Sequence, residues 1–186
     1  MRIHLWLLAL LTLSPVIGHA IMTEVSVSFS SKKTTFNKDN FFASQSLTGS
    51  VSFYIFERTA IELSYTDALS VREEKIDLNS QTVVQTTQVM GSDLIYVLAD
   101  KKDFFQPYVK GGIANIKRRQ EVKVNNLNTY TIEPEPVVVP SYGVGLKLMF
   151  TDSLSFKISY DAWKTPLEDG GSTDDASMRA GISWIF

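Results

Sequence analysis

Apolar and polar residues alternate along most of the chain with the two-residue period of a β-strand. The clearest case is LSFKISYDA, residues 154–162, in which every even position is apolar and every odd position is polar. A helix would spread both sets around its surface, whereas a strand places them on opposite faces. Residues 153–163 are therefore predicted to form a strand with one apolar and one polar face.

Seven further segments show the same alternation, and short connections join six of the eight into hairpins. The eight segments are residues 23–30, 47–56, 60–71, 88–98, 106–116, 141–150, 153–163 and 176–186. Longer polar stretches separate the hairpins and are predicted to form loops at the opposite end. These stretches are residues 31–40, 72–81, 117–136 and 164–175.

An even number of strands, with short turns at one end and long loops at the other, is typical of an outer-membrane barrel. The pattern predicts an all-β fold, an eight-stranded antiparallel up-and-down transmembrane β-barrel. Because short turns of such barrels face the periplasm, both termini of the mature chain are expected on the periplasmic side.

Alternation alone does not say which face points into the barrel, because a soluble lipocalin-like barrel turns its apolar face inward. The polar face here is rich in serine and glycine, which suit the narrow interior of eight strands. It also carries four acids and four bases, which can neutralise one another, whereas a buried charge without a partner costs several kcal/mol. The predicted interior charge network consists of Glu24, Glu62, Asp93, Lys110, Lys147, Lys157, Asp161 and Arg179.

Aromatic residues on the apolar face are expected near strand ends, where membrane barrels place them against lipid headgroups. They are Tyr65, Tyr96, Phe150, Tyr160 and Trp184. This feature favours a barrel whose apolar face meets lipid. A soluble periplasmic binding barrel remains the alternative.

The first twenty residues are typical of a cleaved secretory signal. Arg2 precedes an apolar run over residues 3–13, Pro15 follows it, and Gly18 and Ala20 form a small-x-small cleavage site. The run is shorter than the roughly 20 residues of a spanning helix. The predicted organisation is a signal peptide over residues 1–20 and a barrel over residues 21–186.

Composition excludes several classes of function. A formal net charge of −2 lacks the basic excess of a nucleic-acid-binding protein. The chain has no cysteine, and its two histidines, His4 and His19, fall within the predicted signal. Histidine is the commonest general base, and His and Cys are the usual ligands of catalytic metals. We therefore predict a protein without catalytic residues, metal or cofactor.

Three segments, PYVKGGIANI, SYGVGLKLMF and GISWIF, resemble strands of the small eight-stranded outer-membrane barrel superfamily. This superfamily includes the membrane domain of outer-membrane protein A and the outer-membrane protein W and X groups. The resemblance implies that Ile182, Trp184 and Phe186 form the signal read by the barrel-assembly machinery of a Gram-negative outer membrane. Our hypothesis is a monomer with a structural or loop-mediated role in the envelope. A narrow channel or transporter for small, including hydrophobic, solutes is the alternative.

A basic run leaves the fifth predicted strand where the outer rim of the barrel is expected. Lys117, Arg118 and Arg119 are candidate contacts for lipopolysaccharide phosphates, since a guanidinium group binds phosphate in a bidentate manner. A rim of solvated charge is the alternative reading. Outer-membrane lipid and lipopolysaccharide are thus the expected partners, together with the assembly machinery, and nucleic acid is not.

Overall fold

The computed structural model describes residues 22–37, 40–76, 79–124, 128–166 and 172–186, which lie predominantly in antiparallel strands. The predicted signal peptide lies outside these residues. Within the described ranges the strands are β1 (Thr23–Asn37), β2 (Asn40–Phe56), β3 (Thr59–Ile76), β4 (Asn79–Val97), β5 (Phe105–Val124), β6 (Asn128–Ile132), β7 (Val137–Met149), β8 (Leu154–Pro166) and β9 (Ser172–Ile185). Among the described residues, no helix is long and apolar enough to cross a membrane.

The strands close into a barrel, because β1 pairs with β9 as well as with β2. Every pairing is antiparallel, and chain neighbours lie side by side around the wall. Strands β6 and β7 both pair with β5 and together occupy one position in the wall. The fold is therefore a closed, eight-stranded, up-and-down barrel, and the predicted fold class is confirmed.

The interruption between β6 and β7 falls at residues 133–136. Strand β5 pairs Ile116 with Val137 and Gln120 with Ile132. The four residues 133–136 therefore stand opposite only three residues of β5, 117–119. Pro134 and Pro136 have no N–H group to donate to β5, which prevents a regular ladder here. The extra residue makes the interruption resemble a β-bulge.

The two ends of the barrel are built differently. The turn end contains the connections at residues 57–58, 98–104 and 150–153, and both described chain ends meet there. At this end the Phe186 N–H donates to the Thr23 carbonyl oxygen at 2.8 Å. The opposite end, at which β1–β2, β3–β4, β5–β6 and β8–β9 connect, is called the hairpin end below.

The strands are longer than predicted, and the expectation of four long loops at the hairpin end is wrong. Strand β4 has 19 residues and β5 has 20, and only two residues separate β1 from β2. A minority of the residues in the polar stretches favour strands by type, among them Thr34, Thr35, Val122, Val124, Tyr130 and Thr131. Pairing also satisfies the backbone N–H and C=O groups, which explains why these stretches continue the wall.

Apolar side chains point outward and polar side chains point into the lumen. Lys147 and Lys157 are only 3% and 9% exposed, whereas Leu63 and Val144, on the other face, are 51% and 55% exposed. A belt of exposed apolar side chains surrounds the wall and includes Val27, Phe29, Leu47, Leu63, Met90, Leu94, Ile113, Val138, Val144, Met178 and Ile182. The orientation inferred from the serine- and charge-rich face is thus the one that the fold adopts.

Exposed aromatic side chains ring the turn end, as expected at a lipid headgroup layer. They are Phe53, Phe56, Tyr96, Phe104, Phe105, Phe150, Trp184 and Phe186. Tyr65 and Tyr160 do not lie near strand ends, contrary to expectation. Both are exposed on the outer wall in the middle of β3 and β8, because these strands continue farther toward the hairpin end.

Two adjacent glycines of β5 are predicted to respond differently to alanine. A Cβ atom at Gly112 would lie 2.0 Å from the backbone oxygen of Ser92 and 2.7 Å from the Cα atom of Asp93, so the backbone must move. At Gly111 the nearest atom would be 3.9 Å away. We expect Gly112→Ala to lower the free energy of unfolding by about 1–3 kcal/mol, and Gly111→Ala to change it little.

Urea unfolding in detergent micelles, followed by the mobility difference between unboiled and boiled samples on gels, measures both variants. An equal loss of stability in Gly112→Ala and Gly111→Ala would contradict the close approach of β4 and β5 at this point.

Candidate functional site

The eight side chains predicted to form an interior network all lie in the lumen, and each is at most 10% exposed. They come from every position of the wall except β2, because each occupies an inward position of the two-residue repeat. Two groups of contacts, one nearer the turn end and one nearer the hairpin end, connect all eight.

Near the turn end, Glu24 collects three polar neighbours. The Tyr54 hydroxyl donates to Glu24 Oε2 at 2.7 Å and accepts a hydrogen bond from Lys147 Nζ at 2.6 Å. Lys147 also forms an ion pair with Glu24. Lys157 Nζ lies 3.4 Å from Glu24 Oε1 and 3.0 Å from Glu62 Oε2. Lys157 therefore joins two carboxylates that belong to different strands.

Nearer the hairpin end, Lys110 is the central cation. Its Nζ atom lies 3.0 Å from Glu62 Oε1 and 2.7 Å from Asp161 Oδ1. A third carboxylate oxygen, Asp93 Oδ2, is 3.5 Å away. Arg179 Nη1 completes the network at 3.4 Å from Asp161 Oδ2. Since four acids meet four bases, the connected network has no formal net charge.

Serine hydroxyls supply further donors to the buried carboxylates. Ser50 and Ser52 donate to Glu62 Oε2 at 3.2 and 3.3 Å, and Ser141 donates to Asp93 Oδ1 at 2.5 Å. A buried carboxylate is tolerated only when opposite charges and hydrogen bonds replace its lost hydration. The small polar residues of the lumen therefore stabilise the charges as well as leave room for them.

Two apolar clusters border the network along the barrel axis. The turn-side cluster contains Tyr54, Ala60, Ile95, Val97 and Tyr108, with Met22 packed against it. The hairpin-side cluster contains Val89, Ala114, Ile116 and Val139, with Val137 and Trp163 packed against it. Three gaps beside the network and clusters have volumes of about 10 to 20 Å³, room for a single water each. The described lumen at this depth is a packed core.

Beyond the hairpin-side cluster the lumen widens into a vestibule of about 490 Å³. Its wall contains Phe42, Ser70, Arg72, Val83, Gln85 and Gln120. Gln120 Nε2 donates to Gln85 Oε1 at 2.7 Å, and Gln85 Nε2 donates to Thr87 Oγ1 at 3.0 Å. The vestibule thus combines hydrogen-bonded amides with the apolar side chains of Phe42 and Val83, and it belongs to the hairpin end.

The structure does not bring Lys117, Arg118 and Arg119 onto one surface. Lys117 and Arg119 project from the outer wall, where Lys117 Nζ lies 3.1 Å from Glu133 Oε1 and Arg119 Nη2 lies 3.4 Å from Glu121 Oε1. Arg118 occupies an inward position on β5 and forms an ion pair with Asp175 of β9. Successive residues of a strand alternate between faces, so three in a row cannot share one.

Lys117 and Arg119 border a cleft of about 480 Å³ on the outer wall. Across it, β4 contributes Val84, Thr86 and Gln88. The cleft lies beside the interruption between β6 and β7. Glu121, Glu133 and the chain at Arg118 complete the lining. The cleft therefore combines the cations Lys117 and Arg119 and their two carboxylate partners with hydroxyl and amide groups at one position of the outer wall.

Of the three residues predicted to form the assembly signal, Ile182 and Trp184 lie on the outward face of β9 and Phe186 follows its last residue. Ile182, Trp184 and Phe186 are 60%, 51% and 69% exposed, and the rings of Trp184 and Phe186 are 6.4 Å apart. They form an apolar stripe where the first and last strands close the barrel. Their role in assembly stays a prediction.

Sequence reasoning missed the aromatic residues of the lumen. Tyr54 and Tyr108 contact the charge network, with Lys157 Nζ 5.5 Å from the Tyr108 ring centroid. Trp163 packs on the hairpin-side cluster. All three are in phase with inward serines and charges, so the alternation itself contained the signal. Among the described residues, no group of three or more His, Cys, Asp or Glu side chains is arranged to hold a metal ion.

Breaking the network at Glu62 is predicted to destabilise the barrel strongly. Glu62→Gln removes the carboxylate shared by Lys110 and Lys157, so we expect a loss of about 3–5 kcal/mol in the free energy of unfolding. The double variant Glu62→Gln/Lys157→Met restores the balance of charge and should recover part of this loss. Glu121→Gln removes an exposed partner of Arg119 and should cost about 1 kcal/mol or less.

Urea unfolding in micelles measures these three variants and the single variant Lys157→Met together with the unmodified protein. If the losses for Glu62→Gln and Lys157→Met simply add in the double variant, the two side chains are not coupled and the network account is wrong.

The sequence matches a known protein family, and the fold is similar to solved structures. Residues 8–186 match the model of the outer membrane protein beta-barrel domain. Neisserial surface protein A has a similar fold, with a TM-score of 0.63, 11% identity and coverage of 89% of this chain and 97% of that chain. OprG from Pseudomonas aeruginosa has a TM-score of 0.59 and 10% identity, with coverage of 90% of this chain and 96% of that chain. The N-terminal barrel domain of OprF from the same organism has a TM-score of 0.51 and 20% identity, with coverage of 89% of this chain and 97% of that chain. No curated protein matches the sequence.

Proposed function

The chain belongs to the outer membrane protein β-barrel family, and on this premise we propose that it is a non-enzymatic envelope protein whose hairpin end and outer wall make its interactions. In this proposal the turn end, with both chain ends, faces the periplasm. The hairpin end then stands outside the cell, above the apolar belt.

The packed lumen is the observation that carries the proposal. A solute crossing the barrel would have to displace two apolar clusters and separate buried ion pairs such as Lys157–Glu62 and Lys110–Asp161. Separating a buried pair costs several kcal/mol because each charge loses its partner without regaining water. A closed scaffold for surface interactions fits this interior better than a conduit does.

The hairpin end supports an interaction role through the regular pairing of its strands. Its polar stretches form paired strands, with β3 and β4 in register from Ile76–Asn79 down to Thr59–Tyr96. A binding surface that is already ordered loses little conformational entropy when a partner arrives. The extended hairpins therefore offer a preorganised surface, in place of the long loops expected from sequence.

A narrow channel is the second candidate function, and the vestibule is the observation that favours it. The vestibule has room for a small solute but is bordered by the hairpin-side cluster. A soluble lipocalin-like barrel is less well supported, because Leu63, Met90 and Val144 would expose apolar surface to water.

The packed lumen predicts that the purified protein does not conduct ions. Planar lipid bilayers containing the refolded protein should show no stepwise current, whereas a wide porin reconstituted in the same lipid should. Stable current steps that depend on protein concentration would contradict the proposal and favour the channel.

We also propose that the stripe of Ile182, Trp184 and Phe186 is read by the barrel-assembly machinery. In a Gram-negative host, Phe186→Ala should slow the appearance of the heat-shifted, folded form. Phe150→Ala is the matched control, since Phe150 is an exposed aromatic residue of the same end, 61% against 69% exposed. Equal slowing in both variants would show a general need for aromatic girdle residues and would refute a terminal signal.

A further inference from the structure

We propose that the outer-wall cleft beside Lys117 and Arg119 binds the phosphorylated headgroup of an outer-leaflet glycolipid, with the acyl chains of that lipid on the apolar wall beneath. The proposal rests on the proposed function only in that the barrel spans the outer membrane with its hairpin end outward.

The donors of the cleft suit a phosphate group. Lys117 and Arg119 are two positions apart on β5, so their side chains leave the same face about 7 Å apart. On the neighbouring strand, Lys117 is level with Gln88 and Arg119 with Thr86. Ammonium, guanidinium, amide and hydroxyl groups all donate hydrogen bonds, and guanidinium matches two phosphate oxygens at once.

The interruption of the sixth wall position forms one border of the cleft. In the described registers, β5 pairs with β7 up to Ile116 and with β6 from Gln120, so residues 117–119 have no paired residue on that side. The ladder is therefore absent beside the two cations, and Glu133 of the interrupting segment lines the cleft opposite the β4 side chains. A headgroup can bind on this outer surface without displacing a strand.

The height of the cleft indicates a lipid as its occupant. Met90 on β4, Ile113 on β5 and Val138 on β7 are 60%, 56% and 60% exposed on the outer wall. Met90 lies one strand repeat from Gln88 toward the turn end, so apolar surface begins directly below the polar cleft. A soluble phosphate would contact only the polar cleft, whereas a phosphorylated glycolipid would contact both the cleft and the apolar surface below it.

The acids beside the cations do not prevent binding. Lys117 and its partner Glu133 are 52% and 47% exposed, and Arg119 and its partner Glu121 are 56% and 43% exposed. Ion pairs exposed to this degree contribute about 1 kcal/mol or less. A phosphate can therefore replace the carboxylates as partner at small cost, and the acids limit the affinity for other anions.

Native mass spectrometry of the full chain in detergent micelles, titrated with diphosphorylated lipid A, tests the proposal. Lys117→Ala/Arg119→Ala should weaken binding about fivefold, because each exposed charge pair contributes about 0.5 kcal/mol. The matched control is Lys75→Ala/Lys123→Ala, which removes two exposed outward lysines of β3 and β5 that lie farther toward the hairpin tips. This control should bind lipid A like the unmodified protein.

Two other probes identify the chemistry that is recognised. Dephosphorylated lipid A and deacylated, still phosphorylated, lipid A should both bind more weakly than the intact lipid. If the deacylated form or inorganic pyrophosphate binds as tightly, the cleft recognises soluble phosphate and the proposal is overturned. An equal loss in Lys75→Ala/Lys123→Ala would show charge attraction without a site and would overturn it as well.

A gel shift on heating establishes that each variant is folded, and Lys117→Gln/Arg119→Gln provides a second pair should the alanine pair fold poorly. Lipid A binding and conductance in planar bilayers are separate measurements. If the protein fails to bind lipid A but conducts no current, the lipid site is refuted and the proposed function is not.

Discussion

Lys157 lies between Glu24 and Glu62 at the centre of the barrel, and the pairing of these buried charges constrains the rest of the structure. Each charge must meet an opposite one across the lumen, because an unpaired charge at this depth costs several kcal/mol. A shift of one residue in a strand that carries one of these charges would turn that charge toward lipid. The network therefore fixes the register of the strands at the same time as it fills their interior.

The local period of two was enough to predict the strands and their order, because each strand shows the contrast between its faces without reference to the others. The inward face was identified from the serine, glycine and balanced charges of the polar face. The local period was not enough to predict strand length. Residues 82–88, TVVQTTQ, present threonine, valine or glutamine to both faces, so no contrast marks where the strand stops. What extends these strands is pairing with a neighbour, and pairing is a property of two segments.

In the candidate site too, the alternation along one strand predicts some features, whereas others depend on contacts between distant strands. The alternation of faces already separates Arg118 from Lys117 and Arg119, and it also places Tyr54 and Tyr108 in the lumen. It cannot reveal that Arg118 meets Asp175, 57 positions along the chain, or that the interruption of β6 and β7 lies opposite residues 117–119. Both depend on how the barrel closes.

The order of layers along the axis explains why the chemistry of this protein is best sought on its outside. The turn-side and hairpin-side clusters border the charge network, and electrostatic attraction between charges is stronger where water is excluded. Any change that opened a path would admit water and weaken every pair in the network together. The lumen is therefore the least adaptable part of the molecule. On the outer wall the pairs Lys117–Glu133 and Arg119–Glu121 are exposed to water, so these two cations can exchange partners there without loss of the fold.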